Sequence, residues 1–517
     1  MNYIEINEEM QRVLASQNLA LDSIPAIGAK VKLRFTANIA TGGTAEDVTD
    51  IIHPDNILIA ETATKVIGLK ACGVDFITTD ITKSWKETGG AICEVNSSPG
   101  MRPHWLSNPN RDVVNPVLNT VFAPTDNGRI PAALITGSNG KTTTTRMLDH
   151  ILRAAGHISG AVTTDGVSIN GEYFIEGDVA GTFGAFKLLN NPTITSAVME
   201  TARGGLITKG IYLDFCDVAA LLNVDFEQVG IDGINSVEEM ANLKRKVVET
   251  ARKKIALNAE NKHCLKIAKD FPTDFVILFA IDENLEAIKN HIKSGGVAVV
   301  VKNNIITICS QRNNIEVIDI NNVPAAFEGK VEHNVSNALA ACALAYGMDI
   351  EIDVIAKGLS SFKPDSKNST GRFAFVENTP VKIILDFAHN PPALKSAVKA
   401  INKFKTKGKS ICLFNSPGNR PDFQIEDCAN AVANNFDYYI PFERDYWRRN
   451  RKSGEITNIL SKQLLKLGIK QDNIICASNE KEAIDFAAKL AKPEDLIVIF
   501  GSDAKACEML IKESALA

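Results

Sequence analysis

The 517-residue chain has no excess of positive charge: 56 Lys and Arg stand against 61 Asp and Glu, a formal net charge of −5. That argues against bulk nucleic-acid binding, which needs a basic footprint. No apolar run approaches the ~20 residues of a membrane span, so no membrane role is expected. The start, Met1 to Met10, is acidic and lacks the basic head and apolar stretch of a secretory signal. Ten cysteines are scattered from Cys72 to Cys507 without one Cys-x-x-Cys pair. Settings such as Cys309 after Ile-Thr-Ile and Cys412 inside Ile-Cys-Leu-Phe read as reduced core thiols of a cytoplasmic protein, not as zinc ligands or disulfides. Internal repeats and low-complexity tracts are lacking too. What remains is ordinary for a globular chain, 45% hydrophobic and 23% charged. Its length exceeds one core and suggests about three domains.

The most informative stretch is Ala133-Leu-Ile-Thr-Gly-Ser-Asn-Gly-Lys-Thr-Thr-Thr-Thr-Arg146. An apolar run from Pro131 to Ile135 suits a buried strand. It breaks at Gly137-Ser138-Asn139-Gly140 and restarts as a helix with Met147, Leu148, Ile151 and Leu152 on one face. Glycines let backbone N–H groups approach phosphate oxygens, and the helix N-terminus adds its partial positive charge. Lys141 reaches the outer phosphates in such a cradle, the Thr142 hydroxyl suits a magnesium ion, and Thr143 continues the motif. Ile135 stands where the commoner, longer motif has its first glycine, so this is the short Gly-x-x-Gly-Lys-Thr-Thr form. The expectation is nucleotide binding.

From residue 131 onward apolar runs alternate with helical patterns, which predicts α/β layers around a largely parallel sheet. Strands are expected at 197–199, 218–224, 297–301, 381–385, 410–414 and 496–500. Helices are expected at 236–252, 334–346, 392–404 and 425–434. Seams at 361–371 and 122–128 divide the chain into units of 1–123, 124–363 and 364–517.

Several polar groups sit where open sheets hold ligands. Glu200 ends an apolar strand before a glycine turn and suits magnesium. Asp225 and Glu227 follow the next strand and face either a metal or solvent. Asp386, His389 and Asn390 crowd a strand end before Pro391. In the first unit Asp75, Glu94 and Asn96 form a second oxygen-ligand set, with Glu94 and Asn96 on one strand face. The alternative there is a polar strand edge.

These residues bring a family into view. Residues 131–517 resemble the Mur ligases, three-part enzymes that join a carboxyl group to an amine using ATP. The likeness rests on Thr136-Gly-Ser-Asn-Gly-Lys-Thr-Thr143, Glu200, Leu257-Asn-Ala, His333-Asn-Val-Ser-Asn-Ala-Leu-Ala-Ala341, Gly371-Arg372 and Asp386-Phe-Ala-His-Asn-Pro391. Leu33-Arg-Phe-Thr-Ala-Asn-Ile-Ala-Thr-Gly-Gly-Thr-Ala45, Glu94-Val-Asn-Ser-Ser-Pro-Gly100 and Glu200-Thr-Ala-Arg-Gly-Gly205 narrow it to the cyanophycin synthetase family. That family fuses an ATP-grasp domain to a Mur-ligase domain and builds an aspartate polymer bearing arginine side groups. The likeness runs through almost the whole chain but covers only the C-terminal part of the family's architecture.

The resemblance implies an α/β protein with a P-loop central domain and a Rossmann-like C-terminal domain, preceded by a partial ATP-grasp (α+β) segment. It implies ATP and Mg2+ as cofactors and ligation of arginine to an aspartyl side-chain carboxyl through an acyl phosphate. Lys141 then serves the γ-phosphate, Thr142 and Glu200 the metal, Asn337 the adenine, Arg372 the phosphates and Asp386 the ribose. His389 and Asn390 shape the interdomain cleft. Lys244 stands where many Mur ligases carry a carbamylated lysine; a solvated helix lysine is the alternative. Asp75, Glu94 and Asn96 match ATP-grasp magnesium ligands. Two departures stand out. Gln228 replaces the usual histidine metal ligand, and the ATP-grasp portion with the nucleotide lysines has no counterpart. A separate ATP-grasp partner protein and a homo-oligomer are further expectations. Asp422, Asp445 and Glu455 are loop acids that could receive a guanidinium. Two other readings stay open: a Mur-type ligase for another acid and amine, and a degenerate ATP- or polymer-binding subunit.

Overall fold

A computed structural model describes residues 6–35, 38–39, 43–122, 126–226, 232–364, 371–404 and 406–516. The chain splits into two compact units, Met1–Arg129 and Ile130–Ala517.

The first unit is thinly packed. Asn7 caps the helix Glu8–Ala15 by accepting from the Met10 N–H at 3.0 Å. Met10, Val13 and Leu14 on that helix are the buried apolar side chains of this unit among the described residues. A longer helix, Pro54–Ile67, precedes a two-stranded antiparallel sheet of β1 (Gly73–Ile77) and β2 (Ala91–Asn96). Asp75 pairs with Glu94 and Gly73 with Asn96. Directly opposed residues share a face, so Asp75, Glu94 and Asn96 project together, while Val74, Phe76, Ile92 and Val95 take the other side.

The second unit opens with a sheet of eleven strands. These are β3 (Ala132–Thr136), β4 (Ser159–Thr163), β5 (Gly166–Ile169), β6 (Glu172–Glu176), β7 (Ser196–Glu200), β8 (Cys216–Leu221), β9 (Ala251–Asn258), β10 (Val276–Asp282), β11 (Val297–Lys302), β12 (Ile305–Cys309) and β13 (Asn314–Asp319). Their order is β13-β12-β11-β10-β9-β8-β3-β7-β4-β5-β6. The seven central strands, β11 to β4, pair in parallel, and hairpins add antiparallel strands at both ends. Period-two alternation explains why β3 is buried throughout. Ala133 and Ile135 enter one core with the helices Lys141–Ala154, Glu332–Gly347 and Ile352–Ser361. Ala132 and Leu134 enter the other, with Val237–Val248, Lys262–Ala268 and Glu286–Lys293.

A second sheet follows, β14 (Arg372–Phe375), β15 (Lys382–Asp386), β16 (Ser410–Phe414), β17 (Tyr438–Pro441) and β18 (Leu496–Phe500), in the order β14-β15-β18-β16-β17. All but β14 run parallel. Each face carries its own apolar core. Asn390 caps the helix Pro391–Ile401 by accepting from the Ala393 N–H at 2.9 Å.

Three expectations need correction. The helix expected to reach residue 252 stops at Val248, because Ala251 already pairs with Cys216 of β8. The strand expected through Val224 ends at Leu221. Cys93 and Cys476 are exposed and Cys72 half-buried, so only the other cysteines are core thiols. Residues 123–125 and 365–370, inside the two expected seams, lie outside the described residues.

Candidate active site

The phosphate loop lies between β3 and the helix Lys141–Ala154, as the sequence pattern requires. Gly140 opens that helix with φ of +88°, and a Cβ there would stand 2.3 Å from Asn337 Oδ1. Both the left-handed backbone and the close approach demand glycine. Asn223, just past β8, holds the loop from behind. Its Oδ1 accepts from the Asn139 N–H at 2.8 Å and its Nδ2 donates to the Asn139 carbonyl at 3.1 Å. The Ser138 hydroxyl accepts from the Asp225 N–H at 3.0 Å.

Glu200, at the end of β7, is only 3% exposed and lies beside this loop. The Thr142 hydroxyl donates to its carboxylate at 2.8 Å, and the Thr164 N–H does so at 3.2 Å. Lys141 Nζ is 4.0 Å from the same carboxylate and donates to the Ser138 carbonyl at 3.1 Å. A hydroxyl and a carboxylate in contact form a hard-oxygen donor pair of the kind magnesium prefers. Lys244 is buried, which overturns the solvated alternative; its Nζ donates to the Gly137 carbonyl at 2.9 Å.

The second sheet supplies the opposite wall. Arg372 Nη2 donates to Thr142 Oγ1 at 3.3 Å, and its guanidinium lies 4.4 Å from the Phe387 ring centre. Asp386 accepts from the Ala388 N–H at 2.7 Å. Burial pushes its carboxyl up to about 6, against the pull of that N–H and of Arg372. His389 Nδ1 faces the Phe387 carbonyl at 2.8 Å, which puts its proton on that nitrogen, and the ring packs edge-on against Phe387 and Trp447. Asn390 exchanges amide hydrogen bonds with Asn139 of the phosphate loop, at 2.9 and 3.4 Å. On the helix Glu332–Gly347, Asn337 accepts from the Thr144 hydroxyl at 3.3 Å and donates to Asn334. Burial lowers the neighbouring His333 to about 4, so it is neutral at physiological pH.

Most of these residues line one cavity of about 1010 Å³; Asn390, expected to shape the cleft, does not line it and reaches the site through Asn139. Gly137 to Thr143, Glu200, Asp225, Lys244, Asn337, Arg372, Asp386 and His389 all face it. Glu227 and Gln228 lie outside the described residues. Asp75, Glu94 and Asn96 belong to the first unit and share the β1–β2 face described above. The acids expected on loops to receive a guanidinium instead open helical elements, Asp422–Val432, Asp445–Trp447 and Glu455–Lys466, and are engaged elsewhere. Asp422 and Glu455 each meet Arg451 at 2.7 Å, Asp445 meets Arg448 at 2.9 Å, and none lines the cavity.

Other cavity residues escaped the sequence reading. Asp178 lines the wall without an ion pair among the described residues, its carboxyl raised by burial and then by the nearby charge of Glu200. Its glycine-rich setting, Glu176-Gly-Asp-Val-Ala-Gly-Thr182, was the available signal. Trp447 and Arg203 also line the cavity, Arg203 paired to Asp232 at 3.1 Å.

Comparison with known proteins agrees with this architecture. Residues 135–345 match the Mur ligase middle domain, residues 371–503 the Mur ligase, glutamate ligase domain, and residues 2–106 the RimK-like ATP-grasp domain. The chain is 36% identical over 502 residues to a cyanophycin synthetase of Crocosphaera subtropica, covering 96% of this chain and 57% of that protein. It is 34% identical over 516 residues to that of Nostoc sp., covering 98% of this chain and 56% of the relative. The chain therefore spans little more than half the length of these relatives. Among solved structures, folylpolyglutamate synthase of Mycobacterium tuberculosis complexed with ADP superposes with a TM-score of 0.56 at 17% identity, over 74% of this chain and 90% of that one; the likeness is one of fold. Among the described residues no helix is long and apolar enough to cross a membrane.

Proposed function

The chain belongs to the Mur ligase family of ATP-dependent carbon–nitrogen ligases, and on that premise we propose that it joins an amino acid, arginine, to an aspartyl side-chain carboxyl. The observation that carries this reading is the closed polar set Lys141, Thr142, Glu200 and Arg372, gathered on both walls of one cavity. In the proposed reaction a carboxylate oxygen of the acceptor attacks the γ-phosphorus of ATP and ADP leaves. The amine nitrogen then attacks the acyl carbon, phosphate leaves, and the nitrogen loses a proton. Lys141 and the loop N–H groups offset the charge that develops on the γ-phosphoryl oxygens. Arg372 does the same from the opposite wall. Asn337 meets the adenine and the ionised Asp386 the ribose hydroxyls, while the His389–Trp447 wall excludes water from the acyl phosphate. Thr142 and Glu200 would hold magnesium, which supplies charge neutralisation on the phosphates when bound. Lys244 braces the loop through Gly137.

Asp178 takes the place of the engaged loop acids in this reading. It is a cavity carboxylate without an ion pair among the described residues, suited to the cationic end of the incoming amino acid. The same cavity would serve a related ligase with another acid and amine, and substrate choice separates the two. The test is ADP release by the purified chain with magnesium, ATP, a short aspartate oligomer and arginine. ADP that requires both substrates and disappears in Lys141→Ala supports the proposal. ADP release with a different amine or acceptor moves it to the related ligase. Silence with every pair sinks stand-alone ligation by this cavity.

A further inference from the structure

Arg146 does not line the cavity, yet it grips a turn from which two cavity features hang. It lies on the helix Lys141–Ala154, five residues beyond Lys141, and is buried. Its Nη2 donates to Asp165 Oδ2 at 2.7 Å and to the Tyr173 hydroxyl at 2.9 Å. Nε and Nη1 are buried without a hydrogen-bond partner among the described residues. A guanidinium buried with one nitrogen satisfied is a poor source of stability, since an apolar chain of similar volume serves as well or better. Its use lies in where it holds Asp165.

Asp165 belongs to the turn Thr163-Thr164-Asp165-Gly166 that joins β4 to β5. Gly166 has φ of +147°, and a Cβ there would strike the Ile175 carbonyl of β6, so the turn admits little else. On one side of Asp165, Thr164 donates to Glu200 through its N–H at 3.2 Å and its hydroxyl at 3.1 Å. The Thr164 oxygen also lies 3.2 Å from Thr142 Oγ1. On the other side, the Asp165 carbonyl accepts from the Gly177 N–H at 3.0 Å, which fixes the residue before Asp178. We propose that Arg146 is a positioning residue: by holding Asp165 against the phosphate-loop helix, it sets the Thr164–Glu200 contact and the Asp178 wall together. The roles of Glu200 at the metal and Asp178 at the amine rest on the ligase reading above. Loss of Arg146 therefore acts at two places that its own side chain never reaches.

The experiment compares the intact chain with Arg146→Met, Arg146→Lys and Asp165→Asn. Methionine keeps the straight stem, and the Asp165 side chain, 38% exposed, can turn to water. Asp165→Asn breaks the same ion pair from the exposed side and leaves the buried arginine in place, so one variant checks the other. In Arg146→Met, hydrogen exchange of the Thr164, Asp165 and Gly177 amides should quicken about tenfold or more, with β3 and the phosphate loop unchanged. In ADP release, KM for arginine and the magnesium needed for half-maximal rate should each rise about tenfold, while ADP affinity without magnesium stays as in the parent. Arg146→Lys keeps a charge for Asp165 and should recover part of both losses. Arg146→Met combined with Asp178→Asn should raise KM for arginine no further than Asp178→Asn alone, because the first acts through the second. Additive effects on KM overturn the proposal. So does exchange that is unchanged at the turn, or quickened along the whole helix Lys141–Ala154, which would mark Arg146 as a stability residue only. A parent that releases no ADP with any substrate pair sinks the ligase reading. The exchange pattern, with calorimetric magnesium titration of the ADP-loaded chain, then decides the role of Arg146 by itself.

Discussion

Asp386 shows how one side chain carries opposite pH effects. Its carboxyl keeps its proton to about 6, against an ordinary value of 3.8, because burial disfavours the charge. The folded chain binds that proton more tightly than the unfolded one. Its share of stability is therefore complete below about pH 3.8 and is lost as pH rises through about 6. In the proposed ribose role nucleotide binding would run the other way, since the carboxylate accepts hydrogen bonds from both ribose hydroxyls and the protonated acid does so less well. ADP affinity should rise between about pH 5 and 7, and Asp386→Asn should flatten that rise in calorimetric titrations. A second residue tests amine choice. Asp178→Asn should raise KM for arginine about 10- to 100-fold and leave kcat nearly unchanged, the mark of lost ground-state binding. A change confined to kcat would remove Asp178 from substrate binding. At this scale the sequence was legible where chemistry is contiguous: Gly140, Lys141 and Thr142 announce themselves by spacing alone. The roles of Asn223 and Asp178 did not: Asn223 reaches Asn139 because β8 pairs with β3, and Asp178 enters the cavity from the loop after β6. The acids Asp422, Asp445 and Glu455 misled for a simpler reason: Asp445–Arg448 and Arg451–Glu455 are pairs three and four residues apart that local spacing already offers, and only Asp422 needs the fold to reach Arg451.

The strand–loop–helix unit at β3 depends on a single missing methyl group. Gly140→Ala would force a left-handed alanine and drive its Cβ into the Asn337 amide. A loss of about 2–3 kcal/mol is expected in urea denaturation, with ADP binding weakened along with it. An unchanged midpoint would mean that the loop yields more easily than its contacts imply. Strands β3, β7, β8, β11, β15, β16 and β18 could be read from their apolar runs, because parallel strands with helices on both faces make near-continuous apolar runs; β4, β9, β10 and more than half of the helices of the second unit were not read. The error at residues 249–252 has a clear origin. Glu249 to Arg252 suits an exposed helix end, but pairing of Ala251 with Cys216 of β8 outweighs that local preference.

For the molecule as a whole, the unequal packing of the two units predicts unequal melting. A unit with three buried apolar side chains among the described residues cannot share the cooperativity of one built on four large apolar clusters. Calorimetry should record a weak early transition for residues 1–129 and a sharp later one, with ADP raising only the second. A single transition shifted as a block would refute this. The α/β class was visible at this scale from alternation alone, whereas the thin packing of the first unit was not. Composition counts apolar residues without saying which of them are covered. One further consequence attaches to two of the contacts by which the first sheet of the second unit meets the segment that follows it. Asn139 and Asn390 clasp through neutral amides, while Lys505 and Glu176 meet at 2.7 Å as exposed ions. Counter-ions in solution screen the second contact and scarcely touch the first. Raising ionic strength should therefore slacken the rim and leave the clasp at the phosphate loop in place, so that salt would speed exchange of the bulky acceptor more than it loosens the nucleotide.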